Sequence, residues 1–149
     1  EALVGNAVGK KDVELTKNSI FSTGKFSFIL TFFYLAVFLI FDNFIISLIT
    51  SLELVQIAAN HFSIWLYLIF IFGAVAFWLD GVFIGAMKNK LLRNVMIISG
   101  SIFFLAESFF LHFANTGLWI AFLLFFISRS LFLGISLIWY LKKNKILLN

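Results

Sequence analysis

The chain has 149 residues, 62% of them hydrophobic and only 12% charged, and its mean hydropathy of +1.08 lies far outside the soluble globular range. The net charge of +4 is spread over short separate clusters and not along one stripe, which excludes a nucleic-acid surface. Cysteine is absent, so no disulfide framework or thiolate metal site can form, and proline is absent too.

Ten of the eleven Lys and Arg residues fall in three groups: Lys10, Lys11, Lys17 and Lys25; Lys88, Lys90 and Arg93; Lys142, Lys143 and Lys145. The connectors at 42–61 and 112–117 hold none. Cytoplasmic loops of membrane proteins carry the Lys/Arg excess, so the three groups are expected on the cytoplasmic side, with an even number of crossings between first and last. The positive charge then serves orientation and attraction to anionic lipid headgroups.

In chain order, residues 1–19 read as the end of a truncated helix followed by a cytoplasmic linker. The chain opens on Glu1, and EALVGNAVGKKD lacks the features of a signal peptide, so the expectation is a piece of a longer protein. A spanning helix needs about 20 mostly apolar residues. Four segments supply them: 20–41, 62–87, 94–113 and 118–141, with a cytoplasmic tail at 142–149. Lys25 is tolerated because a lysine near a helix end can snorkel to the headgroups. Between the first two spans, 42–61 repeats apolar residues at helical spacing through Ile46, Ile49, Leu52, Val55 and Ala59, which predicts a short interfacial helix on the outer face. Asn115, Thr116 and Gly117 predict a tight turn between the last two spans. The 22 phenylalanines are expected to face lipid or fill the helix seams.

No phosphate loop, nucleophile elbow or metal-ligand cluster is present, so no catalytic or metal-binding residue is predicted and an enzyme is the least expected reading. His61 and His112 stand near the outer ends of spans, where interfacial placement competes with an ion relay. The informative residues are Asp80, Glu107 and Arg129, because an ionisable group within a span costs at least about 2.5–3.5 kcal/mol and faces the bundle interior or a wet cavity. Rise per residue puts Asp80 roughly 10 Å from the cytoplasmic end of its span, and Glu107 and Arg129 at depths agreeing within about 5 Å. A Glu107–Arg129 pair is therefore expected to be within reach, with an Asp80–Arg129 contact as its competitor. Gly81 with Gly85, and Gly5 with Gly9, have the small-xxx-small spacing that lets helix backbones approach closely in lipid.

Four stretches, EALVGNAVGKKD, LITSLELVQIAANHF, FWLDGVFIGAMKNKLLRN and NTGLWIAFLLFFISRSLFL, occur in an order and spacing that spans nearly the whole chain. Together they resemble multidrug and toxic compound extrusion (MATE) transporters, and most nearly the DNA-damage-inducible branch of that family. The resemblance implies a twelve-helix protein in two six-helix lobes, of which this chain would be the end of helix 8 and helices 9 to 12. It implies export of organic, often cationic, compounds driven by inward Na⁺ or H⁺ movement, with no cofactor. Asp80 falls where some members place a coupling acid on helix 10, although this branch is argued to couple mainly through acids of the other lobe. Glu1 matches a glutamate ahead of the glycine-containing end of helix 8, and Arg129 a basic position in helix 12. Glu107 has no counterpart in that pattern. Relatives often carry a proline where this chain has Phe70, so helix 10 is expected to be straighter here.

The function expected is thus part of a cation-coupled antiporter in a bacterial inner membrane. Its partners would be the lipid bilayer, the remaining helices of the parent transporter and small organic cations, without nucleic acid. Glu1, Asp80, Glu107 and Arg129 are the candidates for coupling or polar packing. Two alternatives are a lipid-linked oligosaccharide flippase of the same superfamily and a four-span structural subunit.

Overall fold

The structure, a computed structural model, describes residues 1–143. These form five helices: α1 (Ala2–Gly9), α2 (Val13–Ile49), α3 (Glu53–Gly85), α4 (Asn89–Phe109) and α5 (Ala114–Lys142), with a 3-10 turn at Leu111–Phe113. Four of them, α2 to α5, are long and apolar enough to cross a membrane. Phe21, Phe26, Phe32, Phe44 and Leu54 are 61–83% exposed. Apolar exposure on this scale is stable only where lipid or further helices replace water. Lys145, in the third basic group, and the rest of the tail after Lys143 lie outside the described residues.

Packing is densest where the basic groups lie. Val4 and Val8 of α1, Ile20 of α2, Leu79, Val82 and Phe83 of α3, Val95 of α4, and Leu133 and Leu137 of α5 form one buried cluster. Helix α1 runs parallel to α3, because Glu1 sits beside Gly81 while Gly5 sits beside Gly85. The loop carrying Lys10 and Lys11 therefore shares an end with the α3–α4 turn carrying Lys88 and Lys90. Asp12 starts α2 by accepting the Leu15 N–H at 2.9 Å, an N-cap that satisfies one of the helix's orphan donors.

The stretch 42–61, expected as a separate interfacial helix, is divided between two long helices. α2 continues to Ile49, residues 50–52 reverse the chain, and α3 begins at Glu53. The apolar period continued across the reversal, so it could not mark where one helix ends and the next begins. Polar side chains mark it: the Thr50 hydroxyl accepts the Leu52 N–H at 3.2 Å, and the Gln56 amide donates back to the Thr50 carbonyl at 2.8 Å. At 37 residues, α2 would be roughly 55 Å long if straight. Its helix is interrupted at Phe41 (φ −116°, ψ 16°). Proline is not the cause, since the chain has none. Next to the break, the Asp42 carboxylate takes the Asn43 N–H at 2.6 Å, the kind of local side-chain bond that competes with the helix ladder. Helix α3 runs unbroken past Phe70.

The second reversal also falls earlier than expected. α4 ends at Phe109, and residues 110–114 turn the chain, with Ala114 at φ 48°. Asn115, Thr116 and Gly117 lie in the first turn of α5 and not in the connector. Gly117 is needed for close approach: a Cβ there would collide with the Phe110 carbonyl. This shift changes the depth of Glu107. It stands about 3 Å from the end of α4, whereas Arg129 lies about 22 Å into α5. The two are at different levels, and the pair expected from equal depth does not form.

Candidate functional site

The α3–α5 seam is built from small and aromatic residues that bring the two backbones together. The Ser130 hydroxyl donates to the Phe72 carbonyl at 2.9 Å, Phe126 packs over Gly73, and Phe77 meets Phe126 edge-on at 5.7 Å. Leu79 and Leu133, both fully buried or nearly so, close the seam toward the basic end. Asp80 and Arg129 stand beside these leucines on the same two helices, which places their charged groups within the apolar span.

They form a bidentate ion pair. Arg129 Nη2 lies 2.9 Å from both Asp80 Oδ1 and Oδ2, and Nε donates to Oδ2 at 3.2 Å. The side chains are 12% and 16% exposed, Arg129 first. The guanidinium's remaining arm, Nη1, points at Met96 Sδ of α4, and its carbon lies 5.9 Å from the Phe125 ring centroid. One arginine thus ties α5 to α3 by charge and touches α4 through a polarisable sulfur. The planar fork of arginine suits a carboxylate in this two-oxygen geometry, which lysine cannot match.

This ion pair joins side chains of opposite charge from two different helices. Of the four candidates, then, the structure brings together Asp80 and Arg129. Glu107 is half-buried in the last turn of α4 and stands apart from them. Glu1 is exposed at the start of α1; its carbonyl accepts the Gly5 N–H at 2.9 Å, and its backbone lies against Gly81 and Gly85. Gly5 and Gly85 form a close crossing: a Cβ on Gly85 would come within 2.6 Å of the Glu1 carbonyl oxygen and 3.0 Å of the Gly5 nitrogen. Gly9 faces open space, so its spacing carries no packing contact among the described residues.

A second polar cluster went unread in the sequence. At the far end from the basic groups, the Tyr67 hydroxyl donates to Asp42 Oδ2 at 3.1 Å, and the Asn60 amide donates to Asn43 Oδ1 at 2.9 Å. Both bonds cross the α2–α3 seam beside the break at Phe41. The available signal was Asp42-Asn43 at the edge of an apolar block. Taken as the start of a connector, those residues had no helix to pair with.

The MatE family model matches residues 1–107, a stretch that includes Asp80 and stops short of Arg129. DNA damage-inducible protein F of Escherichia coli (strain K12) is 31% identical over 139 residues, covering 93% of this chain and 30% of that protein. The chain therefore spans about a third of the length of that relative. No solved structure matches it. With four spanning-type helices in place and the family model covering most of the chain, the chain belongs to the MatE family.

Proposed function

We propose that this chain is part of a cation-coupled antiporter that exports organic, often cationic, compounds by alternating access. Its basic ends would face the cytoplasm of a bacterial inner membrane. Family membership supports transport of the MATE type, and the Asp80–Arg129 pair carries the mechanistic reading. A single carboxylate in a span is held by an arginine from another helix, so a proton or Na⁺ arriving at Asp80 competes with Arg129 for the same two oxygens. Occupancy by the cation would free α5 from α3 at this level, leaving the guanidinium against Phe125 and Met96. Ion binding and the α3–α5 contact are then coupled reciprocally, as antiport requires, and the two-lobed rocking of such transporters supplies the larger motion.

The flippase alternative calls for a basic, hydrated cavity. Arg129, the cation in mid-span among the described residues, is neutralised by Asp80, which favours the exporter. The test is ethidium efflux from a drug-hypersensitive strain expressing the parent protein, under imposed Na⁺ and pH gradients. Wild type should export, and Asp80→Asn at equal membrane level should lose most of the gradient-driven component. Unchanged efflux in Asp80→Asn would make the pair structural, and no efflux from wild type would overturn the exporter reading.

A further inference from the structure

At the basic end, the α3–α4 turn and the end of α5 border an open pocket of ≈ 510 Å³ lined by Met87, Lys88, Asn89, Lys90, Leu91 and Tyr140. Among the described residues its lining includes two lysines and neither Asp nor Glu. The Tyr140 ring packs edge-on against buried Phe83 at 6.0 Å, and Lys88 Nζ lies 5.5 Å from the Tyr140 centroid. The Lys88 main chain is tied on both sides: its N–H donates to the Phe83 carbonyl at 2.9 Å, and its own carbonyl accepts the Leu91 and Leu92 amides. Met87 completes the turn at φ 56°, a left-handed conformation that costs a non-glycine residue about 1–2 kcal/mol. Such local strain persists only where the surroundings fix it.

We propose that this pocket binds the headgroup of an acidic phospholipid. It lies where α3 and α4 meet and α5 ends, the depth at which headgroups sit beside spanning helices. Met87 and Leu91 offer an apolar wall to the glycerol and first acyl carbons, while Lys88, Lys90, the Asn89 amide and the Tyr140 hydroxyl surround the phosphate. Trp139, with Lys143 Nζ 4.7 Å from its ring, continues the aromatic and basic rim toward the bilayer surface. Basic pockets between spanning helices are a recurring form of lipid recognition, and Trp and Tyr at the interface anchor it. This inference is independent of what the protein transports.

The test counts lipids retained by the detergent-purified protein in native mass spectrometry, offering phosphatidylglycerol and phosphatidylcholine at equal concentration. Lys88→Gln/Lys90→Gln should reduce retained phosphatidylglycerol about tenfold or more, with phosphatidylcholine unaffected. Lys10→Gln/Lys11→Gln removes the same charge from the same end outside the pocket and should retain wild-type binding. Lys90→Gln alone, at an exposed position, should give a partial loss even if the double variant folds poorly. Equal loss in both double variants would mean general charge attraction and overturn the site. Equal retention of the two lipids, or displacement by millimolar inorganic phosphate, would overturn the lipid assignment.

Discussion

Arg129→Leu is expected to destabilise the protein by about 3–5 kcal/mol, while Asp80→Leu/Arg129→Leu should recover most of that loss. The asymmetry follows from the site. Removing the arginine leaves a carboxylate that is 16% exposed without its counter-charge in an apolar seam. Removing both charges leaves two leucines beside Leu79 and Leu133, in surroundings already suited to them. Thermal unfolding in detergent, run on wild type, both single variants and the double, reads this directly. A double variant as unstable as the worse single one would mean that the pair's value lies in packing or in other contacts. Single variants as stable as wild type would remove Asp80–Arg129 from the list of interactions that hold α3 to α5.

The second large effect is expected at Gly85. Gly85→Val should cost about 1–3 kcal/mol by overpacking and separate α1 from α3, since a side chain there meets the Glu1 carbonyl, the Gly5 amide and Val4. The Gly5 nitrogen belongs to α1 and the Glu1 carbonyl is held by the Gly5 N–H, so neither swings aside as a flexible side chain would. Gly9→Val is the matched control, because that position opens onto free space, and it should stay within about 0.5 kcal/mol of wild type. Thermal unfolding, together with the rate of proteolysis at the loop around Lys10 and Lys11, separates the two. Similar behaviour of the two variants would contradict the parallel α1–α3 crossing described above.

These two predictions also mark what the sequence could and could not disclose. Charge clustering and apolar length were enough for four spanning helices, because both signals act over 20 residues or more and survive errors at the ends. Helix ends were harder. Around residues 42–61 the apolar spacing ran through a reversal set by Thr50 and Gln56, whose hydrogen bonds no periodicity shows. The same boundary error concealed the Asp42–Tyr67 contact, which appears only once α2 and α3 are folded back as full-length partners. At the other reversal, a shift of a few residues moved Glu107 to the last turn of α4 and left Asp80 as the acid at the level of Arg129. Pairing across helices depends on register, and each residue of error displaces a side chain by about 1.5 Å along the axis and 100° around it. The glycine pairs illustrate a further limit. Gly5 and Gly9 have identical spacing to Gly81 and Gly85, yet a Cβ on Gly9 would meet nothing among the described residues, whereas Gly85 lies in the close crossing with α1. Spacing names a candidate face, and only the partner helix decides which of its glycines is used.

The central claim is that coupling acts through the contact between Asp80 and Arg129. The most direct measurement is gradient-driven efflux by the charge exchange Asp80→Arg/Arg129→Asp beside each single reversal, at matched membrane levels of the parent protein. Each reversal alone puts two like charges face to face in the seam and should abolish efflux. The exchange restores an ion pair on the same two helices and keeps one carboxylate for the cation, so it should recover a substantial part of wild-type efflux. Wild-type efflux from either single reversal would contradict the account.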